Sequence, residues 1–148
     1  MSCILLGNAQ SILRLRIPLF LERVSAGFPS PAEDYIEKTL DLNELCIQHP
    51  AATFFVRVEG ESMIGAGIFP GDVLVVDRSL RAQHGDIIIA SLESEMTVKE
   101  LHLNPPPVYL LLPRNPAYQP ILIEEGMVLE VFGVVTNVVR SLKRGGKS

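Results

Sequence analysis

The chain has 148 residues, 47% of them apolar and 20% charged, enough for the core of one domain and too apolar for wholesale disorder. Its formal charge of −4 excludes a protein that binds nucleic acid through bulk positive charge. The charge is uneven: residues 1–26 carry a net +2 (Arg14, Arg16 and Arg23 against Glu22), the last nine carry +4 (Arg140, Lys143, Arg144, Lys147), and 6 basic and 16 acidic residues lie between.

Met1–Leu6 is apolar but lacks a basic leader, so it does not read as a signal peptide. No apolar run approaches the roughly 18 residues of a membrane span. The two cysteines, Cys3 and Cys46, are too few for a disulfide framework and lack metal-ligand spacing. A soluble, cytoplasmic protein is expected. Leu13–Ile17 alternates apolar and basic side chains, which suits an extended arm better than a helix. Pro18, Pro29 and Pro31 interrupt regular structure around it, so these residues read either as a disordered arm or as a segment lying extended across another surface.

Asp41–Ile47 is the one helical turn expected, with Asp41 as its cap. From there the chain reads as β-structure. Strands are predicted at Phe54–Glu59, Val73–Val76, Ile87–Ala90, Met96–Leu103, Val108–Leu112, Ile121–Ile123 and Val128–Val139, each rich in β-branched residues and bounded by Gly, Pro or Asp. Gly133 is expected to bend the last one. Pro105-Pro106-Pro107 reads as a rigid loop between strands. The fold class that follows is mostly β, a sandwich or partly closed barrel.

His49, His84 and His102 are isolated in sequence and read as structural or surface residues rather than metal ligands. Gly65-Ala66-Gly67 lacks the further glycine and helix of a phosphate-binding loop. No metal or cofactor is expected. Two places remain. Ser62 sits on a glycine-containing turn after a strand, where a hydroxyl and neighbouring N–H groups can converge on a reacting carbonyl. Lys99 lies mid-strand and shares a face with Thr97, Leu101 and Leu103. A lysine there either snorkels to water or is buried. If buried, desolvation lowers its pKa from about 10.4, and the neutral amine can take a proton from a serine hydroxyl.

Seven segments then carry a resemblance: Ala26-Gly27-Phe28-Pro29-Ser30-Pro31, Gln48-His49-Pro50, Gly60–Met63, Gly71–Asp77, His84–Ala90, Thr97–Leu101 and Phe132–Val135. Together, across about Phe20–Val139, the chain resembles the LexA-like self-cleaving serine peptidases (family S24), and among them the SOS-mutagenesis proteins. The resemblance implies a nucleophile at Ser62 and a general base at Lys99. It implies an oxyanion hole from the backbone N–H groups of Glu61 and Ser62, and a scissile bond at Ala26–Gly27. It further implies a homodimer, cleavage stimulated by a RecA filament on single-stranded DNA, and a product that joins a Y-family (UmuC-like) polymerase subunit for translesion synthesis.

The expected organisation is a cleavable arm at 1–26, a LexA-like peptidase and interaction domain at 27–139 and a basic tail at 140–148. Glu100 departs from the basic residue common in this family after the lysine. Strand alternation puts it on the opposite face from Lys99, as a tolerated surface position. A different class of function, a protein-interaction module with an inactive dyad, is distinguished by whether the chain cleaves itself. A repressor is disfavoured because 26 residues are too few for a helix-turn-helix domain, so no direct sequence-specific DNA binding is expected. A leader peptidase is disfavoured because no membrane anchor is present.

Overall fold

The computed structural model describes residues 3–8, 17–20, 36–103, 105 and 108–143. It divides the chain into two compact units, Ser11–Gln48 and Met1–Gln10 with His49–Ser148.

In the smaller unit β2 (Ile17–Phe20) pairs antiparallel with β3 (Ile36–Leu40), with Ile17 opposite Leu40 and Phe20 opposite Ile36. The expected helical turn follows as α1 (Leu42–Cys46), where the Asp41 carboxylate caps by accepting from the Asn43 N–H at 2.9 Å. Ala26, Gly27 and the arginines at 14, 16 and 23 lie outside the described residues.

The larger unit is one eight-stranded antiparallel sheet in the order β1-β4-β5-β10-β6-β7-β8-β9. Its strands are β1 (Cys3–Asn8), β4 (Thr53–Val58), β5 (Val73–Asp77), β6 (Ile87–Leu92), β7 (Glu95–Leu103), β8 (Tyr109–Leu112), β9 (Ile121–Ile123) and β10 (Leu129–Val139). All seven predicted strands are present within a residue or two of their expected bounds. The architecture is mostly antiparallel β, as expected. β1 is an addition to the predicted strands: it pairs with β4 from Cys3 opposite Val58 to Asn8 opposite Phe54, and it also lies near β7.

Both faces of the central strands are covered. One cluster joins Val56, Val58, Met63, Ile68, Leu74, Val76, Ile89 and Val98, and a second joins Ile88, Ala90, Leu101, Leu111 and Val134. This explains why β5 and β6 read as continuous apolar runs instead of alternating ones. β10 bends where expected. Its register against β6 shifts between Val131 and Gly133, and a Cβ at Gly133 would lie 2.7 Å from Val76 Cγ1. The Arg78 guanidinium rests 4.4 Å from the Phe132 ring centre and donates to the Phe132 carbonyl, fixing the bulge.

Arg140, counted with the basic tail, is bound into the sheet unit. Its guanidinium forms a fork on Asp72 with two bonds of 2.6 Å, donates to the Gly67 carbonyl and lies 4.5 Å over the Phe69 ring. Burial raises the Asp72 carboxyl, but the Arg140 fork and the Phe69 N–H outweigh it and hold the group below its ordinary value. A depressed native value means the pair stabilises fully above about pH 4, the unfolded carboxylate range, and stops doing so as pH falls through the native value. Thermal unfolding followed from pH 7 down to about pH 2 is therefore expected to show a steeper acid loss in wild type than in Asp72→Asn. Parallel curves for the two proteins would contradict this.

Candidate active site

Gly60 takes the chain out of β4 with φ of 87°, a conformation that disfavours side chains. Two residues later Ser62 is fully buried, and Met63 beside it plugs into the first core cluster. A single 3₁₀ turn, Ile64–Ala66, follows and ends at Gly67 in the left-handed region. The serine is thus placed by a glycine reversal on one side and a core anchor on the other.

Lys99 comes from the middle of β7 and is 4% exposed, so it does not snorkel to water. Its Nζ lies 3.3 Å from Ser62 Oγ, donates to Thr97 Oγ1 at 2.7 Å and reaches the Val98 carbonyl at 3.1 Å. Thr97 stands two residues earlier on the same strand, and alternation brings its hydroxyl beside the amine. The sequence placed Thr97 on this face without a role. The structure makes it a partner of the amine.

The loop after β8 holds the serine turn in place. Arg114 N–H donates to the Ser62 carbonyl at 2.8 Å, the Arg114 carbonyl accepts from Gly65 N–H at 2.7 Å, and Asn115 Nδ2 donates to the Glu61 carbonyl at 2.9 Å. In a trans peptide the N–H lies opposite the preceding carbonyl, so the Asn115 bond turns the Ser62 N–H away from this loop. Gly65 is required here: a Cβ would sit 2.5 Å from the Arg114 carbonyl oxygen. Arg114 and Asn115 could not be found from sequence, because they lie more than fifty residues from the serine and carry no motif. A groove of about 480 Å³, lined by Gly65, Arg114, Asn115 and Tyr118 among others, opens at this loop.

Glu100 corrects one expectation. It is on the other face from Lys99, but that face is covered, and the residue is 8% exposed rather than at the surface. Its carboxylate takes the Arg114 guanidinium at 3.0–3.2 Å and His102 Nε2 at 2.5 Å. Burial raises the Glu100 carboxyl, but His102 and Arg114 together more than offset this and hold it below its ordinary value. His49 meets Asp77 at 2.6 Å, and His84 packs edge-on against His102. The three histidines therefore have structural contacts. Among the described residues no three His, Cys, Asp or Glu side chains gather as a metal site, and no helix is long and apolar enough to cross a membrane.

Residues 18–136 match the family described as Peptidase S24-like, and the chain belongs to that family, whose members are generally self-cleaving serine peptidases. ImpA of Salmonella typhimurium is 52% identical over 122 residues, 82% of each chain. SamA of the same organism is 48% identical over 140 residues, 95% of this chain and 96% of SamA. The LexA repressor of Azoarcus is 36% identical over 128 residues, which span 86% of this chain and 62% of the repressor. Within the family, these relatives put the chain in the UmuD-like group of SOS-mutagenesis proteins.

Proposed function

We propose that the protein hydrolyses its own Ala26–Gly27 bond, with Ser62 as nucleophile and Lys99 as general base. The observation that carries this is the 3.3 Å approach of Lys99 Nζ to Ser62 Oγ with both groups out of water. Burial penalises the ammonium, so the neutral amine is the working form. It accepts the Ser62 proton as Oγ attacks the Ala26 carbonyl carbon. The Glu61 and Ser62 N–H groups receive the oxyanion, the role for which the turned-out Ser62 N–H is suited. Collapse breaks the C–N bond, and the Lys99 proton passes to the Gly27 amine. Water, deprotonated by the same lysine, then hydrolyses the Ser62 ester and releases residues 1–26 as a carboxylate.

Substrate and catalyst share one chain, so tethering supplies the local concentration, and control lies in docking the arm. A partner that binds the docked state better raises the rate by population shift. In this reading that partner is the RecA filament on single-stranded DNA. The shortened homodimer then serves a Y-family translesion polymerase subunit in the cytoplasm. Ala26 presents little bulk at the reacting carbonyl, and the segment 27–148 keeps the acidic body after a +2 arm has left.

Mass spectrometry of purified protein held at alkaline pH is expected to find the 1–26 fragment. Adding RecA, single-stranded DNA and nucleotide at neutral pH is expected to speed its release. No fragment under either condition would sink the peptidase reading in favour of an interaction module with an inactive dyad.

A further inference from the structure

We propose that the ion pair between buried Glu100 and half-exposed Arg114 positions the nucleophile, by fastening the loop that grips Ser62 to the same strand that carries Lys99. The proposal rests on the reading of Ser62 and Lys99 as a dyad.

Arg114 does two separate things. Its main chain brackets the serine turn, donating to the Ser62 carbonyl at 2.8 Å and accepting from Gly65 N–H at 2.7 Å. Its side chain leaves this loop and forks onto Glu100, with Nε at 3.2 Å and Nη2 at 3.0 Å from Oε1. Glu100 is the residue after Lys99 in β7 and pairs across to Leu112, at the end of β8 two residues before Arg114. Nucleophile and base therefore belong to one short mechanical circuit: Ser62, the Arg114 backbone, the Arg114 guanidinium, the Glu100 carboxylate and the adjoining Lys99. His102 completes the carboxylate's bonding from the same strand.

Stability alone is a poor reason for this arrangement. With the Arg114 side chain 46% exposed, water screens the pair and it adds little stability by itself. Two guanidinium N–H groups converging on one carboxylate oxygen add direction, which apolar packing does not. Direction matters here because a reacting oxygen displaced by about 1 Å can lose on the order of 100-fold in rate. The steric limit at Gly65, where a Cβ would meet the Arg114 carbonyl at 2.5 Å, shows how closely the bracket fits.

The experiment compares Glu100→Gln, Arg114→Lys and the reversed pair Glu100→Arg with Arg114→Glu. Three readouts are taken on the full chain: self-cleavage rate, phosphonylation of Ser62 by a fluorophosphonate, in which Oγ forms the P–O bond and fluoride leaves, and hydrogen exchange at the Gly65 amide. Each single variant is expected to slow cleavage and phosphonylation together by 10-fold or more and to speed Gly65 exchange. The reversed pair is expected to recover part of all three. Arg114→Lys keeps the charge and loses the fork, so it carries the test if Glu100→Gln does not fold. Wild-type cleavage and phosphonylation in the folded single variants would overturn the proposal, as would slowed chemistry with unchanged Gly65 exchange. Failure of the underlying dyad shows separately, as a Ser62→Ala protein that still cleaves.

Discussion

Lys99→Ala is expected to slow release of the 1–26 fragment by roughly 10²- to 10⁴-fold, and Ser62→Ala to abolish it. The two losses have different origins. Without Ser62 no acyl group can form. Without Lys99 the hydroxyl keeps its place, but among the described residues its proton has no other base in contact, since Thr97 and the Val98 carbonyl reach the amine rather than the serine. The pH dependence separates chemistry from folding. Wild-type cleavage should rise with pH as the amine loses its proton and level off once it is neutral. The residual rate in Lys99→Ala should lack that rise. A gel time course of all three proteins between about pH 7 and pH 10 reads both effects. Equal rates for wild type and Lys99→Ala would remove the lysine from the mechanism.

Met63→Ala is expected to carry the largest cost to stability near the site, about 2–5 kcal/mol, because the side chain is fully buried in the first core cluster and its loss leaves a cavity. Met63→Leu conserves volume and should cost less than about 1.5 kcal/mol. For a domain of this size the alanine variant should melt on the order of 10 °C lower. Cleavage should fall as well, even well below the melting temperature, since Met63 is the core anchor that holds the adjoining Ser62. Circular dichroism melts paired with cleavage rates at 25 °C check the two parts. A destabilised Met63→Ala protein that cleaves at the wild-type rate would show that the Arg114 bracket alone is enough to place the serine.

These expectations differ in how far the sequence foreshadowed them. Local pattern marks Ser62 and Lys99 only as candidates, a serine after Gly60 at a strand end and a lysine among Thr97, Val98 and Leu101, and it is the family resemblance that joins them as a dyad. That they meet depends on packing a turn residue against a strand residue 37 positions away, and local pattern does not carry such pairings. Glu100 shows the same limit in reverse. Alternation placed it correctly on the other face of β7. Whether that face met water depended on Arg114 and His102, and the residue is buried beneath both. β1 is not legible in the sequence because Cys3–Leu6 is a short apolar run without alternation, and an edge strand is defined by its partner, here β4.

By itself the sequence determined the β-rich class, the seven main strands, the bend at Gly133 and the Asp41-capped turn. All of these follow from periodicity, β-branching and turn chemistry, which act over a few residues. Only the tertiary structure decided that Lys99 is dry, that Thr97 and the serine share its amine, and that Arg114 grips the serine turn while its side chain reaches Glu100. It also decided that Arg140, one of the charges that made the ends look basic, is spent on Asp72. Burial and long-range hydrogen bonding are properties of the packed chain, set by which strands lie side by side.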